Sequence, residues 1–263
     1  MTSAELCIAE IDQWMVVNKL KLNGDKTELI VMKSPRLQSQ TEIPPIQING
    51  SSITPSHTVR NLGSWFDEAT TMNEQVKAIC KACYYHLHNI ASMRDMLTRK
   101  ATEKLMHAFI TSRLDNCNSL LINIPSSAIQ KLQRVQNTAA RIVMRRNKRD
   151  SISDILKQLH WLPVKQRIIF KIMCLTHHCV YGSAPKYLKD LVQEYEPPRL
   201  LRSVGKKRLC QPPANTKLFG DRCFAVAAPD LWNGLPQNLR LCDNYDLFKK
   251  KLKTHLFGIF ACT

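Results

Sequence analysis

The sequence has no apolar run long enough to cross a membrane and no recognisable secretion signal. No uninterrupted apolar stretch reaches the length of about 18 residues that a transmembrane helix requires. Glu5, Glu10 and Asp12 interrupt the apolar pattern near the beginning of the chain, whereas a secretion signal has a continuous apolar core. We therefore expect an intracellular protein, cytoplasmic or nuclear, without a membrane partner.

Acidic residues are scarce relative to basic ones. The 263 residues include 38 lysines and arginines but only 21 aspartates and glutamates, which gives a formal net charge of +17 at pH 7. Such an excess favours an anionic partner. Because the basic residues are spread along the chain, nucleic acid is a better candidate than a membrane. A basic surface that only keeps the protein soluble is the alternative.

Glycine is scarce too, and the one segment similar to a phosphate-binding loop does not satisfy its pattern. In Gly24-Asp25-Lys26-Thr27 a carboxylate would face the phosphates, and Lys19 stands where the first glycine is needed. Helical spacing precedes the segment over residues 4–22, and a short β-branched stretch follows over 28–32. This order is the reverse of a phosphate loop, so we predict a turn between a helix and a strand.

The ten cysteines do not form the dense pattern of a small secreted protein. We expect reduced thiols that are mostly buried. Cys80 and Cys83, followed by His86 and His88, form the most metal-like cluster, but no second cysteine pair completes a zinc site. The same residues fit a helical pattern, so the sequence predicts packing there, with no metal and no cofactor.

Changes in periodicity divide the chain into three zones. Residues 1–67 combine a helix with short strands at 28–32, 46–49 and 59–66, with a hairpin turn at Asn49-Gly50. Residues 68–195 have helical periodicity, including an apolar stripe formed by Val76, Ile79, Cys83, Leu87, Ile90 and Met93. Residues 196–263 contain an extended basic segment and a terminal helix at 244–257. The predicted fold class is α+β, mostly α-helical.

The helix predicted over residues 126–146 has one apolar and one basic face. On a helical wheel, Arg134, Arg141 and Arg145 lie within about 40° of one another, opposite the apolar arc. Each guanidinium can bind a phosphate with two hydrogen bonds, which suits a sugar-phosphate backbone. Arg146 and Lys148 continue the positive charge beyond the helix. The alternative is a solvated basic face without a ligand.

Several strings resemble the non-LTR (LINE-type) retrotransposon reverse transcriptases. WMVVNKLKLNGDKTELIVM is similar to the end of the palm of that family, and VRNLGSWFD to its primer grip. AFITSRLDNCNSLL, LQRVQNTAARIV, LHWLPVKQRIIFKI, YGSAPKYLKDLV and AAPDLWNGLP resemble the thumb and C-terminal region, in family order. The resemblance covers nearly the whole chain. It implies a small palm remnant, a helical thumb-like bundle and a loosely structured C-terminal segment.

The resemblance also implies roles for particular residues. The segment Asn61, Leu62, Gly63, Ser64 and Trp65 would hold a primer end, although Asn61 replaces a common aromatic and Ser64-Trp65 replace aliphatics. Lys26 corresponds to a lysine near the incoming nucleotide; a surface lysine at a turn is the alternative. The basic face of helix 126–146 would follow the backbone of an RNA or RNA–DNA duplex.

The metal-binding aspartates of that family have no counterpart in this sequence. Such polymerases hold two Mg²⁺ ions on carboxylates that include an adjacent Asp-Asp pair, and this chain contains no such pair. We therefore expect a truncated fragment without its own polymerase activity, separated from the rest of the palm and the fingers. His160-Trp161-Leu162-Pro163 predicts a helix junction, since proline ends a helix and tryptophan packs the corner.

Three functions remain open from the sequence. The first is a non-catalytic remnant that binds nucleic acid through the thumb. The second is a helical module co-opted for protein interaction through exposed apolar surface. The third is a decayed open reading frame whose product has no function.

Overall fold

The computed structural model describes residues 3–32, 44–48, 50–196, 207–213 and 220–261. It is 60% helical with two small antiparallel sheets of two strands each, so the predicted α+β, mostly α-helical class is confirmed. The chain forms two compact units, residues 1–75 and 76–263. No helix in the described part of the chain is both long and apolar enough to span a membrane.

The boundary between the units differs from the sequence prediction of 67/68 because residues after the last strand fold back onto it. The Asp67 carboxylate accepts hydrogen bonds from the backbone N–H groups of Thr71 and Met72, each at 2.8 Å. The backbone N–H of Trp65 donates to the side-chain oxygen of Gln75 at 2.9 Å. These contacts keep residues 68–75 with the strands.

The helix that opens the first unit, α1 (Ser3–Val17), is shorter than the predicted range 4–22. Lys19 adopts the left-handed conformation with φ 61°, which ends the helix. The predicted turn is present as a 3₁₀ turn at Gly24–Lys26. The predicted strand 28–32 is wrong, since Leu29 forms only an isolated bridge with Pro55. Proline has no N–H with which to continue a ladder.

Two β-hairpins complete the first unit. Strands β1 (Ile46–Ile48) and β2 (Ser51–Ile53) pair antiparallel around Gly50, as the turn signal predicts. The prediction of one strand over 59–66 is wrong, because the chain reverses within it to form β3 (Thr58–Asn61) and β4 (Ser64–Asp67). Leu62 and Gly63 both have positive φ, 46° and 86°, as a type I′ turn requires. Leucine is rare at such a position, so the sequence gives a weak turn signal.

The remaining helices, apart from the first three residues of α2, build the second unit and confirm the predicted helical zone. They are α2 (Asn73–Ser92), α3 (Arg99–Met106), α4 (Ser112–Asp115), α5 (Ser126–Met144), α6 (Ile152–Gln158), α7 (Val164–Val180), α8 (Lys186–Lys189), α9 (Phe224–Asn233), α10 (Gln237–Arg240) and α11 (Tyr245–Ala261). In α2 the predicted stripe from Val76 to Ile90 is buried. Met93 is exposed, because α2 ends at Ser92.

The predicted helix junction at residues 160–163 is confirmed. His160 is left-handed (φ 53°) and ends α6, and Pro163 precedes the first residue of α7. Trp161 is buried in the corner. The side chain of Gln136, on α5, donates to the carbonyl of Leu162 at 2.8 Å. The Gln133 side chain accepts from the N–H of Val164 at 2.9 Å, so two glutamines of α5 fix the junction.

The described residues after 195 belong to the helical unit, whereas the sequence predicts a separate zone. Helices α9 and α11 pack against α7, and Trp232 and Phe248 are fully buried. The predicted terminal helix at 244–257 is confirmed as α11. The indole N–H of Trp232 donates to the carbonyl of Lys207 at 2.7 Å, which ties residues 207–213 to the core. Residues 197–206 of the predicted basic segment lie outside the described residues.

His177 lies inside this core among aromatic rings. Its Nε2 donates to the Cys242 carbonyl at 2.8 Å, and its buried Nδ1 has no partner among the described residues. The rings of Tyr181, Tyr245 and Phe248 lie 4.4 to 5.6 Å from the imidazole, centroid to centroid. Burial lowers the pKa of His177 below its ordinary value.

The pKa of His177 predicts a loss of stability at mildly acidic pH. Because the pKa of His177 is lower in the folded chain, the unfolded chain protonates this histidine more readily below about pH 6.5, and unfolding there takes up protons. For each unit by which the pH falls in this range, we expect His177 to lower the free energy of unfolding by up to about 1.4 kcal/mol. Chemical denaturation at pH 7 and pH 5 measures it. His177→Phe should flatten the pH dependence and the exposed-site control His88→Gln should not; an equal effect of both contradicts the assignment.

The nine cysteines in the described residues all carry free thiols, but only four are buried, fewer than the sequence predicts. Cys83 is the most enclosed, with no exposed surface, on the core face of α2. Burial raises the pKa of its thiol to about 12. A thiol of that pKa does not act as a nucleophile at neutral pH.

Cys83 is therefore predicted to resist alkylation in the folded protein. At pH 8 about one Cys83 thiol in ten thousand is ionised, against about one in four for an ordinary thiol. Peptide mass spectrometry after native iodoacetamide treatment should show Cys117 and Cys223 modified and Cys83 unmodified. All three should react at similar rates in guanidinium. Native modification of Cys83 as fast as Cys117 would show that this part of the core is not closed.

Candidate nucleic-acid interface

A groove on the second unit brings together the five basic residues singled out in the sequence. It has a volume of about 780 Å³ and is bordered by the end of α2, the second half of α5 and the segment after α5. Six basic side chains line it: Arg94, Arg134, Arg141, Arg145, Arg146 and Lys148. We call it the basic groove. No aspartate or glutamate is among the described residues that line it.

The conformation of the chain at the end of α5 directs the basic side chains that follow the helix into the groove. The helix ends at Met144, two residues earlier than predicted, and Arg145 is left-handed (φ 51°, ψ 46°). The N–H of Arg146 donates to the Arg141 carbonyl at 3.0 Å and that of Arg145 to Ile142 at 3.4 Å. This is the Schellman arrangement, usually made with glycine. It reverses the chain, so residues 145–148 face the side of α5 that carries Arg134 and Arg141.

Arg94 fastens the two walls of the groove to each other. Its Nε and Nη2 donate to the carbonyls of Ile142 and Val143 at 2.8 and 2.9 Å. Its Nη1 donates to the carbonyl of Leu97 at 2.8 Å. The last carbonyls of a helix carry partial negative charge, which a guanidinium neutralises. Burial, and then the neighbouring positive charge of Arg145, lowers the pKa of Arg94. Arg94 has a structural role, because each of its three guanidinium nitrogens donates to a backbone carbonyl.

The other cations differ in how far the protein itself neutralises them. Arg145 pairs with the exposed carboxylate of Asp95 at 3.3 Å. The half-buried Arg141 donates from Nη2 to the Lys148 carbonyl at 3.4 Å, and its buried Nε has no partner among the described residues. In the described part of the chain no ion pair involves Arg134, Arg146 or Lys148. Three exposed cations therefore face the groove without a counter-charge.

One aromatic side chain adds a different kind of contact to the groove. Tyr84, on α2, lines it and is 45% exposed. Thr138 and Asn137 contribute polar groups from α5. Cations beside an exposed aromatic ring can contact both the phosphates and the bases or sugars of a nucleic acid.

The primer-grip-like segment forms the end of the β3–β4 hairpin in the first unit. Leu62 and Gly63 occupy the turn, and the Leu62 side chain is 92% exposed. Asn61 is exposed and pairs with Ser64, which is buried with no partner for its hydroxyl among the described residues. Trp65 is half-buried. The segment thus presents the exposed backbone of a tight turn and one apolar side chain.

Lys26 is exposed at the end of the 3₁₀ turn in the first unit. That turn packs against β2. The basic groove belongs to the second unit, so the residues proposed for nucleotide, primer and phosphate contact are divided between the units.

The Cys80–Cys83 cluster does not gather into a metal site. Within the described residues, no group of three or more His, Cys, Asp or Glu side chains is arranged to hold a metal ion. Cys83 faces the core, while His86 stacks on Phe109 with ring centroids 4.9 Å apart.

The sequence alone does not predict that Arg94 and Tyr84 line the basic groove. Both lie on or just after α2, and they reach the groove only because the end of α2 packs beside α5, about fifty residues later in the chain. A helix end generally favours a basic side chain near its last carbonyls, so a cation can be expected beside the end of α5. This rule does not identify which of the many basic residues supplies the cation.

Comparisons with known proteins add no identification: no family model, no curated protein and no solved structure matches the chain.

Arg94→Met is predicted to destabilise the second unit. The substitution keeps the apolar stem but leaves the Ile142 and Val143 carbonyls without their charged donor, at an expected cost of about 2–4 kcal/mol. Urea unfolding measures the change. Arg99→Met, an exposed position on α3, is the matched control and should change stability by less than about 0.5 kcal/mol. Equal, small effects of the two substitutions would refute the fastening role.

Proposed function

We propose that the second unit binds the sugar-phosphate backbone of RNA or an RNA–DNA duplex through the basic groove. The observation that carries the proposal is the convergence of six basic side chains in one groove whose described lining has no carboxylate. Concentrating like charges is unfavourable in a protein without a ligand, and bound phosphates offset this repulsion. Binding of this kind has little sequence preference, because phosphates carry no direct sequence information.

We further propose that the chain derives from a non-LTR reverse transcriptase, as an end-of-palm segment followed by the thumb. The support is the set of sequence strings, in family order, from Trp14 to Pro236. Under this proposal the first unit contributes the primer-grip-like hairpin and Lys26, and the second contributes the backbone-binding face. The proposed activity is binding, and no residue is assigned to catalysis.

The salt dependence of binding tests the groove. Arg134→Gln, Arg146→Gln and Lys148→Gln together remove the three exposed cations that lack ionic partners. We expect the slope of log K against log salt concentration to become shallower by roughly two to three units, about 0.9 for each lost phosphate contact. Fluorescence anisotropy with a labelled RNA–DNA hybrid, measured from low to physiological salt, provides the slope.

The control replaces three exposed lysines outside the groove, Lys189→Gln, Lys250→Gln and Lys251→Gln, and so matches the loss of charge. It should leave the slope near that of the unmodified protein. Identical slopes for the groove variant and the unmodified protein would remove the groove from the proposal. Equal changes in both variants would mean that only net charge matters.

Protein interaction is a second candidate, favoured by the surface of α1. None of its described side chains is buried, and Leu6, Trp14 and Val17 are each more than half exposed. An apolar face of this kind is unusual on an isolated unit. A stoichiometric protein complex that survives high salt and is lost on Trp14→Ser would favour this function, whereas nucleic-acid binding is weakened by salt.

A further inference from the structure

A second, smaller cleft on the helical unit also gathers cations, and none of its lining residues lines the basic groove. It has a volume of about 360 Å³ and lies where α7, α11 and the α6–α7 junction meet the end of α4 and the residues that follow it. Arg167 and Lys171 come from α7 and Lys253 from α11. Residues four apart on a helix share a face, so α7 presents two cations to this cleft.

Arg167 is held in place by a carboxylate. Its Nε donates to Asp115 Oδ1 at 2.7 Å, and its Nη2 donates to Asp115 Oδ2. The Asn118 side chain donates to the same carboxylate at 3.5 Å. The Arg167 side chain is only 18% exposed, and its Nη1 has no hydrogen-bond partner among the described residues. The guanidinium is thus fixed in orientation while keeping unused donors, which lowers the entropy lost on binding an anion.

The two lysines remain without carboxylate partners. In the described part of the chain neither Lys171 nor Lys253 forms an ion pair, and both are exposed. The ammonium of Lys253 lies 6.0 Å from the centre of the Phe257 ring. Three cations therefore face one carboxylate, and this carboxylate is already engaged with Arg167. The cleft has a surplus of two positive charges.

We propose that this cleft binds a phosphomonoester. A phosphomonoester carries about −1.5 to −2 charges at pH 7, which matches the surplus, whereas a phosphodiester carries one. The free donors of Arg167 suit its oxygens, and the lysines contribute point charges from two helices. Phe170 and Leu162 add apolar surface for the organic part of the ligand. The size of the cleft suits a small molecule or the end of a strand.

Calorimetric titration with ribose 5-phosphate tests the cleft, with dimethyl phosphate as the phosphodiester comparison. We expect ribose 5-phosphate to bind at least about tenfold more tightly than dimethyl phosphate, since it offers a second charge and a third oxygen. Lys171→Ala with Lys253→Ala should weaken ribose 5-phosphate by about tenfold or more. The control Lys250→Ala with Lys251→Ala, at exposed positions on α11, should not.

The source of the phosphomonoester is tested by a short single-stranded RNA with a 5′-phosphate and the same RNA with a 5′-hydroxyl. If the strand end is the ligand, the phosphorylated RNA binds more tightly, and Lys171→Ala with Lys253→Ala removes only that difference. If the two RNAs bind equally while ribose 5-phosphate retains its lysine dependence, the ligand is a free small phosphomonoester. Both outcomes support the cleft.

The proposal is overturned if ribose 5-phosphate binds no better than dimethyl phosphate, or if the Lys171/Lys253 variant binds it like the unmodified protein. Because both lysines are exposed, the variant should keep its circular dichroism spectrum and unfolding midpoint. The groove variant Arg134→Gln, Arg146→Gln, Lys148→Gln should still bind ribose 5-phosphate. Failure of this test therefore leaves the proposed function of the basic groove standing, and failure of the groove leaves this cleft standing.

Discussion

The contact between the Arg94 guanidinium and the last carbonyls of α5 is the constraint on which the basic groove depends. It joins the end of α2 to the end of α5 at N–O distances of 2.8 and 2.9 Å. With the α5 terminus held in this way, the chain can reverse at the left-handed Arg145 and direct Arg146 and Lys148 toward Arg134. Without it, the helix end would expose unsatisfied carbonyls and the two walls would be free to separate.

The two cationic sites use acidic residues in opposite ways. In the basic groove the described lining contains no carboxylate, and only Arg145 is paired, with the exposed Asp95 outside it. Burial, and then repulsion from Arg145, lowers the pKa of Arg94. The concentrated positive charge of the groove favours a long ligand that carries many negative charges. In the smaller cleft Asp115 orients Arg167, so the site favours a small ligand that needs a fixed donor geometry. These charge distributions support the proposals of a polymer backbone as the ligand of the groove and of a terminal or free phosphate as the ligand of the cleft.

Patterns with strong periodicity could be predicted from the sequence, and contacts made by tertiary packing could not. The apolar stripe of α2, the helix α5 with its basic face, the junction at Pro163 and the terminal helix all follow from spacing and from proline chemistry. The sequence does not predict the β3–β4 hairpin, because its turn places Leu62 at a position of positive φ that asparagine or glycine usually occupies. Arg94, Asp115 and Arg167 gave no local signal, since their partners lie far along the chain. The abundant basic residues after residue 196 predict an extended segment, whereas the buried side chains of Trp232 and Phe248 anchor the described C-terminal residues in the core.

The most direct test of the central claim is chemical footprinting of the basic groove with an RNA–DNA hybrid bound. Lysine acetylation and arginine modification, quantified by mass spectrometry at low salt, compare Arg134, Arg146 and Lys148 with Lys250 and Lys251 on α11. If the groove binds the backbone, the hybrid protects the three groove residues severalfold and leaves the two α11 lysines unchanged. Equal protection of the groove residues and the two α11 lysines, or protection of the α11 lysines alone, would contradict backbone binding in the groove.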